Sequence, residues 1–271
     1  MKRVFLILTI GVLGCGDQKE SSTVDLIKLE TITKDEKLKL INELEPTFKY
    51  LATYNGWQQE VSDGFHFIDL DNDTDLDLIF TGWSGGEPVC VRIYSNTNGK
   101  YQEVFEAYQQ IVTIEFTDKK LSRILIHDPG CCAAYIEFDE DYSFEVNKDD
   151  FKYRITNRTA LLYPTEEPKD KFDRPINFEV LNDKYYLRLT PKIDTVDQVF
   201  AEDMQEDNII AEFKKGARGQ AYAERKDSTG RIWWFVEIDP KHKPTKSFFY
   251  DIEEKPTKLK GWMSSNYLKR L

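Results

Sequence analysis

Between Phe67 and Ile79 the sequence reads Phe-Ile-Asp-Leu-Asp-Asn-Asp-Thr-Asp-Leu-Asp-Leu-Ile, which places acids at Asp69, Asp71, Asp73, Asp75 and Asp77. Five carboxylates this close repel one another unless a cation or solvent neutralises them. Ca2+ prefers about six to eight hard oxygen ligands, and a loop with acids at relative positions 1, 3, 5 and 9 can wrap such an ion. Asp69, Asp71, Asp73 and Asp77 hold those positions, with Asp75 between them. An ion there is expected to be structural, because a loop this acidic can fill the ligand sphere by itself. The same residues also read as a solvated acidic hairpin loop. Just downstream, Gly82-Trp83-Ser84-Gly85-Gly86 matches the letters of a Gly-x-Ser-x-Gly nucleophile elbow. That motif requires a helix directly after the serine. Here Glu87-Pro88-Val89-Cys90-Val91 follows, which reads as a strand, so a glycine-rich loop is expected.

The thiols are Cys15, Cys90, Cys131 and Cys132. Met1-Lys2-Arg3 is basic, and Val4 to Leu13 is an apolar run too short to span ~30 Å of hydrocarbon as a helix. It suits the hydrophobic region of a signal peptide. The run ends in Val12-Leu13-Gly14-Cys15, which resembles the bacterial lipobox, where cleavage precedes a lipid-modified cysteine. The resemblance implies a signal peptide over 1–14, acylation of Cys15 and a polar tether over 15–25. It also implies an oxidising envelope compartment. There, one bridge from Cys90 to Cys131 or Cys132 is expected, with buried free thiols as the alternative. A zinc set of Cys90, Cys131, Cys132 and His127 matches no common spacing.

These groups need a scaffold, and the hydropathy pattern supplies a mainly β one. Thr33 and Glu36 have capping-box spacing ahead of the apolar stripe Leu38, Leu40, Ile41 and Leu44, which predicts a helix ended or kinked at Pro46. From Phe65 the pattern changes to strands, including Phe65–Asp69, Asp77–Thr81, Val89–Ser95, Ala133–Phe138, Asn177–Leu181 and Lys184–Leu189. Asn96-Thr97-Asn98-Gly99 and Thr117-Asp118-Lys119-Lys120 read as hairpin turns. A boundary is expected near Thr190-Pro191. It separates an N-terminal helix plus antiparallel β domain over 26–190 from a small C-terminal barrel over 191–271.

Two family resemblances add to this. The aspartate segment resembles the calcium loop of FG-GAP/VCBS repeats. It departs from that family in having one copy, and in carrying Thr74 where a glycine with positive φ is usual. The C-terminal segments Phe213-Lys214-Lys215-Gly216, Ile232-Trp233-Trp234-Phe235-Val236 and Gly261-Trp262-Met263-Ser264-Ser265-Asn266-Tyr267-Leu268 resemble, in order, a bacterial SH3 (SH3b) domain. That resemblance implies a non-catalytic binding module with Trp233, Trp234, Trp262 and Tyr267 as groove candidates. Strand alternation puts Trp233 and Trp234 on opposite faces. The long charged segment from Asp239 to Lys260 departs from the family pattern.

The 271 residues carry 37 Lys+Arg and 48 Asp+Glu, a net charge of −11 that argues against nucleic acid as a partner. An aromatic content of 13% argues against disorder. The expected function is therefore a non-enzymatic, lipid-anchored envelope protein that contacts peptidoglycan, glycan or an envelope protein. The alternatives are a carboxylate-dependent envelope hydrolase and a structural subunit of an envelope assembly.

Overall fold

The computed structural model describes residues 26–53, 61–83, 89–130, 136–147, 150–194, 198–200, 203–205, 207–249, 252 and 254–271. Cys15, the signal and tether segments, Ser84, Cys131 and Cys132 lie outside the described residues.

The chain is mainly β with one α-helix among the described residues. Helix α1 covers Lys34–Thr53. Its start is set as the sequence predicts. The Glu36 amide donates to Thr33 Oγ1 at 3.3 Å, and the Thr33 amide donates back to Glu36 Oε2 at 2.8 Å. Pro46 lies inside the helix, which continues to Thr53, so the expected break there does not occur. The missing proline N–H removes one backbone bond, and the remaining turns carry on past it.

Strands β1 (Phe65–Ile68), β2 (Asp77–Trp83), β3 (Val89–Thr97) and β4 (Lys100–Ala107) form an antiparallel sheet in that order. One face of it packs on α1 through Ile41, Phe65, Phe67, Leu78 and Phe80. The other face meets a second meander, β5 (Gln110–Thr117), β6 (Lys120–Asp128), β7 (Ile136–Asn147) and β8 (Asp150–Leu162). Between β3 and β4, Asn98 (φ 53°) and Gly99 (φ 82°) make a two-residue turn with both residues left-handed, the geometry that matches strand twist.

The C-terminal half contains β9 (Ile176–Val180), β10 (Tyr185–Arg188), β11 (Gln198–Phe200), β12 (Asp203–Gln205), β13 (Ile209–Phe213), β14 (Arg218–Lys226), β15 (Ile232–Ile238), β16 (Lys246–Ser247), β17 (Lys258–Ser264) and β18 (Leu268–Arg270). The main path runs β18-β9-β14-β15-β17-β8-β7-β6-β5, so it does not close on itself. Strand β10 joins β13 to β17 beside that path.

Two organisational expectations change. Strands β9 and β10, grouped by the sequence with the N-terminal domain, pair with β13, β14, β17 and β18 of the C-terminal half. The expected boundary near residue 190 therefore falls inside a set of paired strands. In addition, β8 runs parallel to β17 through Thr159, Ala160 and Leu161. The C-terminal core accordingly includes Ile136, Phe138, Ala160 and Leu162 from β7 and β8 alongside Phe178, Leu187, Ile210 and Met263. One continuous sheet links the halves.

Candidate functional site

The loop between β1 and β2 is held at both ends by buried groups. Leu70 is fully buried; its carbonyl accepts from Leu121 N at 2.8 Å and its amide donates to Asp77 Oδ2 at 2.8 Å. Asp77, at 1% exposure, uses its other oxygen to accept from Asn96 N at 2.8 Å in β3. The loop thus closes around its last acid. Asp69 caps the turn inside it, accepting from Asn72 N (2.7 Å), Asp73 N (3.3 Å) and Thr74 N (3.2 Å). Those bonds impose left-handed backbone at Asn72 (φ 61°) and Thr74 (φ 80°). The position where the calcium-loop resemblance expects glycine therefore has the glycine-like conformation, held here by a threonine. Such a residue costs about 1–2 kcal/mol in local strain.

The five-acid ladder resolves into two groups. Oxygens of Asp69, Asp71 and Asp77 lie within 4.8 Å of one another. Asp73 and Asp75, expected among the ligands, are outside this set. Asp73 Oδ1 accepts from Asp75 N (2.9 Å), and Asp75 Oδ2 accepts from Asn98 N (3.1 Å). They serve the turn and the neighbouring hairpin. Burial raises the Asp77 carboxyl to about 7, against the two backbone N–H donors that favour its anion. Burial and the Asp73 carboxylate raise Asp71 as well. Two buried carboxylates whose charge is unfavourable, beside a third, form a donor set of the kind hard divalent cations take. Asp69, Asp71 and Asp77 are the carboxylates that could hold such a cation.

The four aromatic groove candidates separate by burial. Trp233 (1% exposed) and Trp262 (0%) are core residues packed with Leu161, Ala223 and Phe235. Their indole N–H groups are satisfied internally, Trp233 by Asp227 Oδ2 at 2.9 Å and Trp262 by the Glu166 carbonyl. Neither is placed to meet a ligand, which corrects the expectation for both. Trp234 is half-buried, its ring centroid 6.4 Å from that of Phe178. Tyr267 is exposed and stacks edge-on against Tyr185 at 6.0 Å. Cys90, expected in a bridge, is a buried free thiol in the core under α1, and burial raises its pKa.

The β6–β7 and β7–β8 pairs set His127 opposite Asp139 and Arg158 opposite Glu140, and the pairing of β8 with β17 brings Lys260, Thr257 and Lys255 to them. His127 Nδ1 lies 2.8 Å from Asp139 Oδ1, and Lys260 Nζ is 3.4 Å from Asp139 Oδ2 and 4.0 Å from Glu237 Oε1. On the opposite face, Arg158 Nε donates to buried Glu140 Oε1 at 2.7 Å and its Nη1 donates to Thr257 Oγ1 at 2.9 Å. Lys255 Nζ lies 3.3 Å from the same Glu140 oxygen. For Lys255, Thr257 and Lys260 the missing signal is the non-local strand partner.

Among the described residues no helix is long and apolar enough to cross a membrane. No protein-family model matches the chain, and neither a curated protein nor a solved structure is similar to it.

Proposed function

We propose that this chain is a non-enzymatic, lipid-anchored recognition protein of the bacterial envelope. Its N-terminal half is a β scaffold stiffened by Ca2+, and its C-terminal half is an SH3-like binding module. The strand order of that half is the observation that supports the reading. Strands β14, β15 and β17 form an antiparallel meander. A single 3-10 turn over Ser265–Tyr267 then leads into β18, which returns to pair with β9. This order runs through the segments that carry the SH3b resemblance. The Lys214-Lys215-Gly216 turn sits between β13 and β14, with Gly216 at φ 88°. In this reading the module includes β9 and so extends N-terminally to Ile176. Anchoring rests on the basic, apolar and Gly14-Cys15 segments of the N-terminus.

The test is co-sedimentation of the full chain with purified peptidoglycan, with Ca2+ and with a chelator. The chain is expected in the pellet, with more retained in Ca2+. A chain left wholly in the supernatant under both conditions removes the recognition reading. In cells, Cys15→Ala is expected to move the protein out of the membrane fraction, and unchanged partitioning removes the anchor.

A further inference from the structure

We propose that the outer edge of β8 is a docking site for an extended segment of a partner protein. The segment joins the sheet as an added strand and carries acidic and apolar residues in alternation. The site lies in the N-terminal half and is separate from the C-terminal module.

The edge is left bare by the way the sheet is assembled. Strand β7 pairs with β8 along its whole length, from Asp150 opposite Asn147 to Leu162 opposite Ile136. On the other side β17 meets only Thr159, Ala160 and Leu161. Among the described residues, no strand pairs with that side of β8 over 150–157. Thr156 is an extra residue in the register, since Asn157 faces Asp141 and Ile155 faces Tyr142. A bulge of this kind bends the strand, so the regular run is 150–155, about 20 Å at ~3.3 Å per residue. Every second residue of it points an N–H and a C=O outward, where a partner strand can take them.

The side chains of this run form two rows. Phe151 and Ile155 pack on the core between the two sheets. Tyr153 lies in the same row, its ring centroid 5.0 Å from that of Phe105 and 5.8 Å from that of Phe144, yet it is 47% exposed. Lys152 and Arg154 alternate with these residues and stand exposed on the opposite face. Lys152 Nζ donates to Asp150 Oδ2 at 2.6 Å, whereas Arg154 has no ion-pair partner among the described residues.

These two cations decide the occupant. Antiparallel self-pairing centred on Lys152, Tyr153 or Arg154 sets a cation of one copy opposite a cation of the other, and like charges directly opposite are destabilising. Edge charges of this kind keep identical edges apart. The same cations favour Asp or Glu on an incoming strand, and half-open Tyr153 favours a β-branched residue between them. Main-chain pairing then supplies affinity, and the alternate side chains supply specificity. At the far end of the sheet, β5 has Glu115 as its only charge and two register shifts, so it offers neither the cations nor a regular run.

The test is calorimetric titration of the full chain with the probe peptide Ac-Ser-Glu-Val-Glu-Val-Glu-Ser-NH2. A peptide with lysine for each glutamate is expected to bind about tenfold more weakly. Arg154→Glu is expected to reverse that order, and the gain for the lysine peptide cannot come from misfolding. Two more peptides carry N-methyl groups on both valines or on the glutamates. Valine N–H groups point to one side of a strand and glutamate N–H groups to the other, so only one of these peptides should lose binding. No binding of the glutamate peptide overturns the proposal, as does an unreversed preference in Arg154→Glu or equal binding of the two methylated peptides. A dimer of the parent in sedimentation velocity that Arg154→Glu abolishes assigns the edge to a second copy and overturns it too.

Discussion

Asp71→Asn separates the two things the acidic loop can be. In the fold, Asp71 Oδ1 accepts from Asp73 N at 3.1 Å, and an asparagine keeps that acceptor. What it removes is charge. With carboxylate oxygens up to 4.8 Å apart, each like-charged pair among Asp69, Asp71 and Asp77 repels by about 1 kcal/mol at bulk dielectric and about 3 kcal/mol at an effective value of 20. The ion-free variant is therefore expected to melt at or slightly above the ion-free parent. Ca2+ reverses the order. At one hundred times its dissociation constant a native-state ligand adds about 3 kcal/mol, which in a chain of this size is about 5–10 °C in melting temperature. The parent should show that rise by thermal unfolding in Ca2+ against chelator. Asp71→Asn should show less than half of it, because it lacks one of three carboxylates. The reasoning fails if Ca2+ leaves the parent unchanged. It fails equally if the variant responds as fully as the parent, or if the variant is strongly destabilised without the ion.

Three further outcomes are expected. Burial, then Lys37, push His66 down to about 4, and Glu30 Oε1 at 3.2 Å is not aligned to bond its Nδ1. The folded pKa lies below the unfolded one, so this contribution is complete above about pH 6.5 and is lost as pH falls towards 4. It amounts to about 3 kcal/mol, read as the difference between parent and His66→Gln in urea unfolding across that window. Arg158→Met removes the closer and more buried of the two cations on the Glu140 carboxylate, leaving Lys255 at 3.3 Å, and should cost up to about 3–5 kcal/mol in the same assay; Glu140→Met with Arg158→Met should cost much less, and equal costs would refute the pairing. Residues 191–271 alone should lack a cooperative melt, whereas 136–271, which keeps Ile136, Phe138, Ala160 and Leu162, should retain one. The shorter piece loses Phe178, Val180, Leu187 and Leu189, each about 2% exposed or less and worth about 1.5–3 kcal/mol.

Local chemistry made much of this fold readable. Thr33 and Glu36 announced the helix start, and Asn98-Gly99 announced a hairpin, because both signals lie within four residues of where they act. Strand β7 was legible only in its first residues. Its buried positions alternate as Ile136, Phe138, Glu140, Tyr142, Phe144 and Val146, and the acids between and among them mask the apolar period. The sequence shows that Trp233 and Trp234 face opposite ways; which one is core depends on β17 and β8, nearly thirty and seventy residues distant. The β9 and β10 strands were recognised as strands and misgrouped for the same reason, since chain proximity is a poor guide to pairing across a long loop. In the aspartate ladder, spacing located the site but could not divide its acids. That division depends on Asn98 N, a donor on another hairpin that claims Asp75.

The same carboxylate chemistry occurs twice in this chain with opposite electrostatic outcomes, and the contrast identifies the loop that a cation would stabilise. Asp227, in the turn before β15, accepts from the Thr229 hydroxyl at 2.6 Å, from Trp233 Nε1 at 2.9 Å and from the amides of Thr229 and Arg231. Those donors hold it at about 2. It is an anion already stabilised by the protein and has no need of an ion. Asp77 also accepts two backbone N–H groups, yet burial holds it near 7, with Asp71 and Asp69 adding to the shift. Hydrogen bonds alone do not compensate its removal from water. A divalent cation bound there would do so for Asp69, Asp71 and Asp77 together, because its field would act on all three at once, whereas each N–H serves one oxygen. The strain at Thr74 acts in the same direction. It is maintained by Asp69 through Thr74 N, so a cation on the Asp69 carboxylate would hold the acceptor that keeps this turn in place.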